Sequence, residues 1–260
     1  MIIDSHFHAL SMRKRGIEEL PEDLIGIDIG TDAGDAETRI SILPPSESIF
    51  ISVGSGPWVL DSPSYISPED ERSKLLSDIA HFGADAIGEC GFDMHWKYGT
   101  EDEQRALLMM QAELASELDL PIIIHTRDAD RETSEALRST SFRCSGIMHC
   151  FSSGEDLMRN ALDKGMYISF AGNITYKGND ELRRIVQLVP EDRLLCETDS
   201  PYLAPVPMRG KPSRPEYTEY TIDLIASLRG EDRDKLKEQM VRNLKAALHR
   251  DKTIRKLFLS

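Results

Sequence analysis

Hydrophobic and polar positions alternate along this chain in a regular way, with short apolar runs separated by longer segments of helix-like patterning. Most of the runs are bounded by turn-forming residues. Short, nearly continuous apolar runs of this kind are typical of strands buried on both faces of a parallel sheet. The pattern predicts eight strands, at residues 1–4, 24–29, 48–53, 84–88, 121–124, 145–148, 166–170 and 193–196.

The segments between these runs carry helix start and stop signals. Ser67 precedes Pro68, as a capping residue precedes a proline at the first helical position, and Gly83 suits the end of that helix. Thr100 and Glu103 form a capping box ahead of a helix that extends to about Leu118. Further helices are predicted at residues 154–164, 181–189, 215–228 and 232–248, and a less regular pattern predicts one at 35–43.

Eight strands alternating with helices in 260 residues predict an α/β fold, a single (β/α)8 TIM barrel that spans residues 1–260 as one domain. An open, doubly wound sheet is the alternative architecture for the same alternation. The position of the polar residues favours the barrel. They follow the apolar runs directly, which places them at the C-terminal ends of the strands, where barrel enzymes assemble their sites.

Composition and charge restrict the class of protein. No apolar run reaches the roughly 18 residues of a membrane span, and no basic segment followed by an apolar one suggests a signal peptide. The four cysteines contain no Cys-x-x-Cys pair, and free thiols fit a reducing compartment. We therefore expect a cytoplasmic protein without membrane contact. The net charge of −14 excludes nucleic-acid binding through the whole surface.

Candidate metal ligands follow five of the eight predicted strands. His6 and His8 lie two residues apart, so a strand presents both imidazoles on one side. Alone, such a pair is as typical of structural histidines as of ligands. Four more residues of ligand type stand at other strand ends, and these are Glu89, His125, His149 and Asp199. Four imidazoles and two carboxylates can hold two divalent ions about 3.5–4 Å apart, with one carboxylate bridging them.

The motifs DSHFH, AIGECGFD, PIIIHTRDA, MHCFSSG, SFAGNITYK and LLCETDSPYLAPVPMRGK resemble, in order, those of the TatD family of metal-dependent hydrolases, a family of the amidohydrolase superfamily. The resemblance implies metal-dependent deoxyribonuclease activity. It implies that His6, His8 and Asp199 hold one ion, that His125 and His149 hold the other, and that Glu89 bridges the two. Asp199 would also orient the attacking water and accept its proton, so Asp199 and Glu89 are the candidate catalytic residues.

The chain departs from the family after its third strand. The family usually has a Gly-x-His-Pro segment there, whereas this chain has Gly54-Ser55-Gly56-Pro57. A histidine that would face the substrate is therefore absent. We expect the metal site to persist and the substrate preference to differ.

Candidate substrate-binding residues are Arg127, two positions after His125, and Arg209 and Lys211 in a proline-rich loop. Arginine suits bidentate phosphate contacts. The alternative for Arg209 is a salt bridge that anchors its loop. The cluster Arg13-Lys14-Arg15 is interpreted as solvated surface.

The leading functional hypothesis is a deoxyribonuclease that holds DNA, or a small phosphoester, locally at the barrel mouth. The alternatives are a hydrolase of another ester or amide, such as a D-aminoacyl-tRNA deacylase, and a metal-binding protein without turnover. The histidine-rich ligand set suits bound Zn, Mn, Ni or Co, while the resemblance also implies activity with Mg. The sequence carries no signal for an oligomeric state.

Overall fold

In the computed structural model, which describes residues 1–44 and 46–248, eight parallel strands form one sheet in the order β1 to β8. The strands are β1 Ile2–Phe7, β2 Leu24–Asp28, β3 Ile49–Val53, β4 Ala86–Asp93, β5 Ile122–Arg127, β6 Gly146–Met148, β7 Tyr167–Phe170 and β8 Leu194–Cys196. A parallel bridge between Phe7 and Ser200 brings the end of β1 to the segment after β8. This nearly closed sheet confirms the predicted (β/α)8 barrel and excludes the open sheet. The final part of the predicted domain, residues 249–260, lies outside the described residues.

Helices follow the strands around the barrel. They are α1 Ala9–Lys14, α2 Ala36–Ile42, α3 Pro68–Phe82, α4 Glu101–Glu117, α5 Asp130–Arg138, α6 Glu155–Asp163, α7 Asp180–Val186, α8 Thr218–Arg229 and α9 Arg233–Ala247. Short 3-10 turns cover Pro57–Asp61, Gly172–Thr175, Glu191–Arg193 and Pro215–Tyr217. None of the helices within the described ranges is long and apolar enough to cross a membrane.

The predicted capping residues Ser67 and Thr100 form side-chain caps at the starts of α3 and α4. The Ser67 hydroxyl accepts a hydrogen bond from the N–H of Asp70 at the start of α3. The Thr100 hydroxyl accepts one from the N–H of Glu103, and the Glu103 carboxylate accepts one from the N–H of Thr100, which completes the capping box of α4. Both caps satisfy backbone donors that the first helical turn leaves without partners.

The apolar runs located the strands but not all of their ends. β1 continues to Phe7 and β4 to Asp93, beyond the predicted ends at residues 4 and 88. The extensions contain the polar residues His6 and Glu89, whose side chains are buried in this fold. The helices α1 and α5 were not predicted, and α7 ends at Val186 rather than at residue 189.

Most of the core is one continuous cluster of buried side chains contributed by the strands and the helices that cover them. A second, smaller cluster lies around Phe7 and Met12, under α1. Arg39 is among the largest fully buried side chains, and its guanidinium pairs with the buried Asp28 and donates to the carbonyl of Ser52. Arg39, on α2, thus contacts both the end of β2 and β3.

Candidate metal centre

The first two candidate ligands come from the end of β1. The Nε2 atoms of His6 and His8 lie 3.2 Å apart, with the ring planes inclined at 77°. Asp4, in the same strand, is fully buried and accepts hydrogen bonds from the backbone N–H groups of His6 and Thr198, at 3.2 Å and 2.9 Å. Asp4 thus ties the histidine pair to the segment after β8, although the sequence reasoning did not select it.

Asp199 reaches the same pair from the segment after β8. Its φ of 56° lies in the left-handed region, which Asp tolerates better than most residues, and its N–H donates to the carbonyl of His6 at 3.0 Å. This turn directs the carboxylate into the mouth, with Oδ1 3.2 Å from Nε2 of His8 and 3.8 Å from Nε2 of His6.

Glu89 lies between this group and the other two histidines. Its Oε2 atom is 2.9 Å from Nε2 of His149 and 3.3 Å from Nε2 of His6. The Nδ1 atom of His125 is 3.1 Å from Nε2 of His149. Gly91 permits the backbones of β4 and β5 to lie close together beside His125, because a Cβ at position 91 would lie 1.9 Å from the carbonyl oxygen of His125. The structure therefore brings all six predicted ligands together.

The donor set fits divalent metal ions. Ligand atoms within 4.8 Å of one another form three overlapping trios: His6, His149 and Asp199; His6, His8 and Glu89; and Glu89, His125 and His149. The buried Oε2 of Glu89 makes no aligned hydrogen bond with any described residue, although two imidazole nitrogens lie beside it. Imidazoles and carboxylates converging around a buried oxygen without a hydrogen-bond partner are suited to Zn, Mn, Ni or Co.

Electrostatics within the cluster favour an anionic Glu89. Burial raises the pKa of the Glu89 carboxyl, but the imidazoles of His149 and His6 outweigh burial and hold that pKa well below its usual range. Burial lowers the pKa of His149, but the carboxylates of Glu89 and Glu197 raise it well above the ordinary value. Glu89 and His149 thus favour each other's charged forms.

Two buried carboxylates support the histidines from behind. Oδ2 of Asp93 lies 3.4 Å from Nε2 of His125, and Oε1 of Glu197 lies 3.3 Å from Nδ1 of His149. Each carboxylate also accepts a backbone hydrogen bond, Asp93 from Trp96 and Glu197 from Cys150, both at 2.8 Å. A carboxylate in this position fixes the tautomer and the orientation of a ligating imidazole.

The predicted substrate-binding arginines stack on aromatic rings. The guanidinium of Arg127 lies 5.6 Å from the ring centre of Trp96, and that of Arg209 lies 4.1 Å from the ring centre of Tyr176. Both distances are typical of cation–π contacts. Within residues 1–44 and 46–248, Arg209 makes no ion pair, and its guanidinium instead stacks on Tyr176. Lys211 is exposed on the same loop, and its side chain has no contact with a described residue that would fix its position.

Arg15 was interpreted as solvated surface, and it is exposed, as are Arg13 and Lys14. Its guanidinium also lies 4.9 Å from the ring centre of Tyr202, and that ring lies 6.0 Å from the ring of His8. Tyr202 therefore has ring contacts with both Arg15 and a candidate ligand. Nothing in the local sequence distinguishes Arg15 from Arg13 and Lys14, because its contact is with Tyr202, which is distant in the sequence.

The loop after β3 has no histidine, and Trp58 stands near the cluster instead. Its ring centre lies 5.8 Å from that of His125. Ser55 does not face the mouth. Its hydroxyl is buried and donates to the carboxylate of Glu71 on α3 at 2.7 Å.

The comparisons with known proteins agree with this geometry. The family model described as TatD related DNase matches residues 3–249. The uncharacterized metal-dependent hydrolase YabD of Bacillus subtilis is 32% identical over 237 residues, covering 88% of this chain and 91% of the relative. The uncharacterized metal-dependent hydrolase YcfH of Escherichia coli is 30% identical over 261 residues, covering 96% of each.

The crystal structure of YJJV, a TatD homolog from Escherichia coli, has the same fold, with a TM-score of 0.79 at 22% identity over 96% of this chain and 98% of that one. The family model covers nearly the whole chain, and the motifs that carry the sequence resemblance include all six clustered residues. The chain belongs to the TatD family and is a metal-dependent hydrolase.

Proposed function

We propose that this hydrolase is a deoxyribonuclease that cleaves phosphodiester bonds with two divalent ions at the barrel mouth. The observation that carries the proposal is the position of Glu89 between two groups of ligands. His6, His8 and Asp199 would hold one ion, and His125 and His149 the other. Two such ions, when bound, supply Lewis-acid activation of water and of the phosphoryl group.

Asp199 is the general base in this proposal. Burial raises the pKa of its carboxyl, but the hydrogen bond and charge of His8 lower that pKa below the ordinary value, so the group is ionised at neutral pH. The side chain is 15% exposed, compared with 5% for Glu89, so it can be reached from the mouth. Asp199 orients the attacking water and accepts its proton, while the less exposed Glu89 holds the two halves of the site together.

Three cation–aromatic pairs provide the substrate-binding surface in this proposal, and we call them the stacked rim: Arg15 with Tyr202, Arg127 with Trp96, and Arg209 with Tyr176. None of the three guanidinium groups pairs with a carboxylate within residues 1–44 and 46–248, so their N–H groups remain available for phosphate oxygens. Aromatic rings also offer stacking faces to bases.

The stacked rim favours a short, single-stranded end as the substrate. Trp96 and Tyr202 are 60% and 42% exposed, so their rings are accessible to a splayed base. A base inside a duplex is already stacked on both faces and cannot use such a ring. We therefore propose that a few nucleotides at a DNA end enter the mouth, with their phosphates on the rim arginines and on the metal centre.

The proposal is tested with purified protein, a single-stranded oligonucleotide and Mg²⁺, Mn²⁺, Co²⁺, Ni²⁺ or Zn²⁺ added one at a time. We expect cleavage that a chelator abolishes and added metal restores. Hydrolysis of a carboxylic ester or a D-aminoacyl-tRNA without DNA cleavage would instead assign a different hydrolase activity. Bound metal without turnover of any of these substrates would identify a binding protein.

A further inference from the structure

Trp58 is held rigidly beside His125. The two ring centres lie 5.8 Å apart, with the ring planes at 80° to each other. The indole N–H donates to the carbonyl of Thr31 at 3.0 Å, and the backbone N–H of Gly56 donates to the same carbonyl at 3.1 Å. The indole is thus anchored to the loop after β2, and it cannot turn away from His125 without losing that hydrogen bond.

Gly56 leaves the space that the indole occupies. A Cβ at this position would lie 2.0 Å, 2.3 Å and 2.4 Å from three atoms of the Trp58 indole. The backbone of Gly56 has φ −73° and ψ 167°, a conformation that any residue adopts. The glycine is therefore required for space and not for its backbone conformation, which couples positions 56 and 58.

His125 is the candidate ligand that most needs such a contact. Its side chain is 18% exposed, whereas those of His6, His8 and His149 are 0%, 8% and 4% exposed. Its outward Nε2 has one polar support, Asp93 at 3.4 Å, which is beyond the usual length of a strong hydrogen bond. Asp93 therefore restrains this imidazole only through a long contact, and the indole adds a second restraint on rotation of the ring about Cβ–Cγ.

We propose that Gly56 and Trp58 act together as a positioning pair that fixes the imidazole plane of His125. The pair would selectively support the ion held by His125, His149 and Glu89, and not the ion held by His6, His8 and Asp199. The inference rests on the two-ion centre of the proposed function. Loss of such outer support typically weakens metal binding by about 10–100-fold.

The test is calorimetric titration of the metal-free full chain with Co²⁺. Wild type is compared with Trp58→Ala, Gly56→Ala and the double variant. We expect each single substitution to lower the affinity for one ion by about 10–100-fold. The affinity for the other ion should stay within about twofold of wild type. Because the added Cβ acts by displacing the indole, Gly56→Ala should cost nothing further once Trp58 is Ala.

Tyr220→Ala is the control, because this exposed aromatic residue on α8 has a ring contact only with Tyr217 among the described residues, and we expect it to leave both affinities unchanged. Trp58→Phe keeps an aromatic ring without the indole N–H and should lose less affinity than Trp58→Ala. It also keeps the test decisive if the alanine variant does not fold, as judged by thermal unfolding of the metal-free protein.

Three results overturn the inference, and they can be told apart. If wild type binds two ions and the affinities of folded Trp58→Phe and Gly56→Ala both match it, the positioning role is wrong while the two-ion centre stands. An equal loss of affinity for both ions would also exclude a selective role. If wild type binds fewer than two ions, the two-ion centre itself fails.

Discussion

At the scale of single residues, the two central carboxylates have different environments and therefore different expected roles. Glu89 is 5% exposed between imidazoles of both groups, whereas Asp199 is 15% exposed and faces the mouth beside His8. Both carry a pKa below the ordinary value because neighbouring imidazoles outweigh burial. A carboxylate that is ionised and accessible can accept a proton, while one that is enclosed by ligands can only hold charge.

Replacing Asp199 with Asn keeps the shape of the side chain but removes its charge and its basicity. We predict partly weakened metal binding and a kcat lower by about 10²–10⁴ at saturating metal, the usual contribution of a positioned base. Asp128→Asn is the control, because Asp128 is 68% exposed and, among the residues that the structure describes, its side chain pairs only with the exposed His95. Turnover of Asp199→Asn within a few-fold of wild type would show that Asp199 is not the base.

The six ligands could be selected from the sequence because each lies next to an apolar strand, and the ends of barrel strands converge. Some of the contacts around them could not be predicted. Arg15 meets Tyr202, and Asp4 meets Thr198, only when the first strand and the segment after the last strand become neighbours. Contacts of this kind depend on barrel closure, and no local pattern records them.

At the scale of elements, a side-chain cap was a sufficient signal for predicting a helix but not a necessary one, because α2, α6, α7 and α8 lack such a cap and were still predicted from their residue patterns. α3 and α4 begin with side-chain caps and were predicted, whereas α1 and α5 have no side-chain cap and were not. α1 has six residues, which is too short for a periodic pattern to develop. Such a helix depends on packing, here of Met12 in the small cluster with Phe7, rather than on its own propensity.

The capping box of α4 allows a direct test of one local signal. Thr100→Ala removes the acceptor for the N–H of Glu103, and we predict a loss of about 0.5–2 kcal/mol in the free energy of unfolding. The measurement is urea denaturation of the metal-free protein. Glu113→Ala, an exposed change on the same helix, should stay within about 0.5 kcal/mol of wild type. Equal denaturation midpoints for Thr100→Ala and wild type would mean that the cap contributes no stability.

At the scale of the whole molecule, the charge distribution conflicts with the proposed substrate unless binding is local. The chain has 45 acidic and 31 basic residues, and many surface arginines are already paired with carboxylates. The arginines of the stacked rim are unpaired among the described residues and lie on aromatic rings around the mouth. The net charge of −14 therefore favours binding of a polyanion at a few local cations and the metal centre rather than through the surface as a whole.

Local binding predicts a weak dependence of affinity on salt. Each phosphate neutralised on a single strand contributes about −0.7 to the slope of log K against log salt, because bound counterions are released. With roughly four phosphates held by the rim and the metal centre, we predict a slope shallower than about −3 for a short single-stranded oligonucleotide. The measurement is fluorescence anisotropy at several salt concentrations, with the Asp199→Asn variant, whose slow turnover preserves the oligonucleotide during the measurement.

Removing one cation of the rim should remove one phosphate contact. Arg209→Ala should flatten the slope by about 0.7 and raise KM more than it lowers kcat, because the guanidinium binds the ground state and the transition state alike. Arg143→Ala is the matched control, since this exposed arginine precedes β6, at the end of the barrel opposite the mouth. A slope far steeper than −3, or an Arg209→Ala slope equal to that of Arg143→Ala, would place the polyanion elsewhere. The substrate would then be better explained as a small phosphoester or a carbonyl compound, because either can bind at the metal centre alone in so acidic a protein.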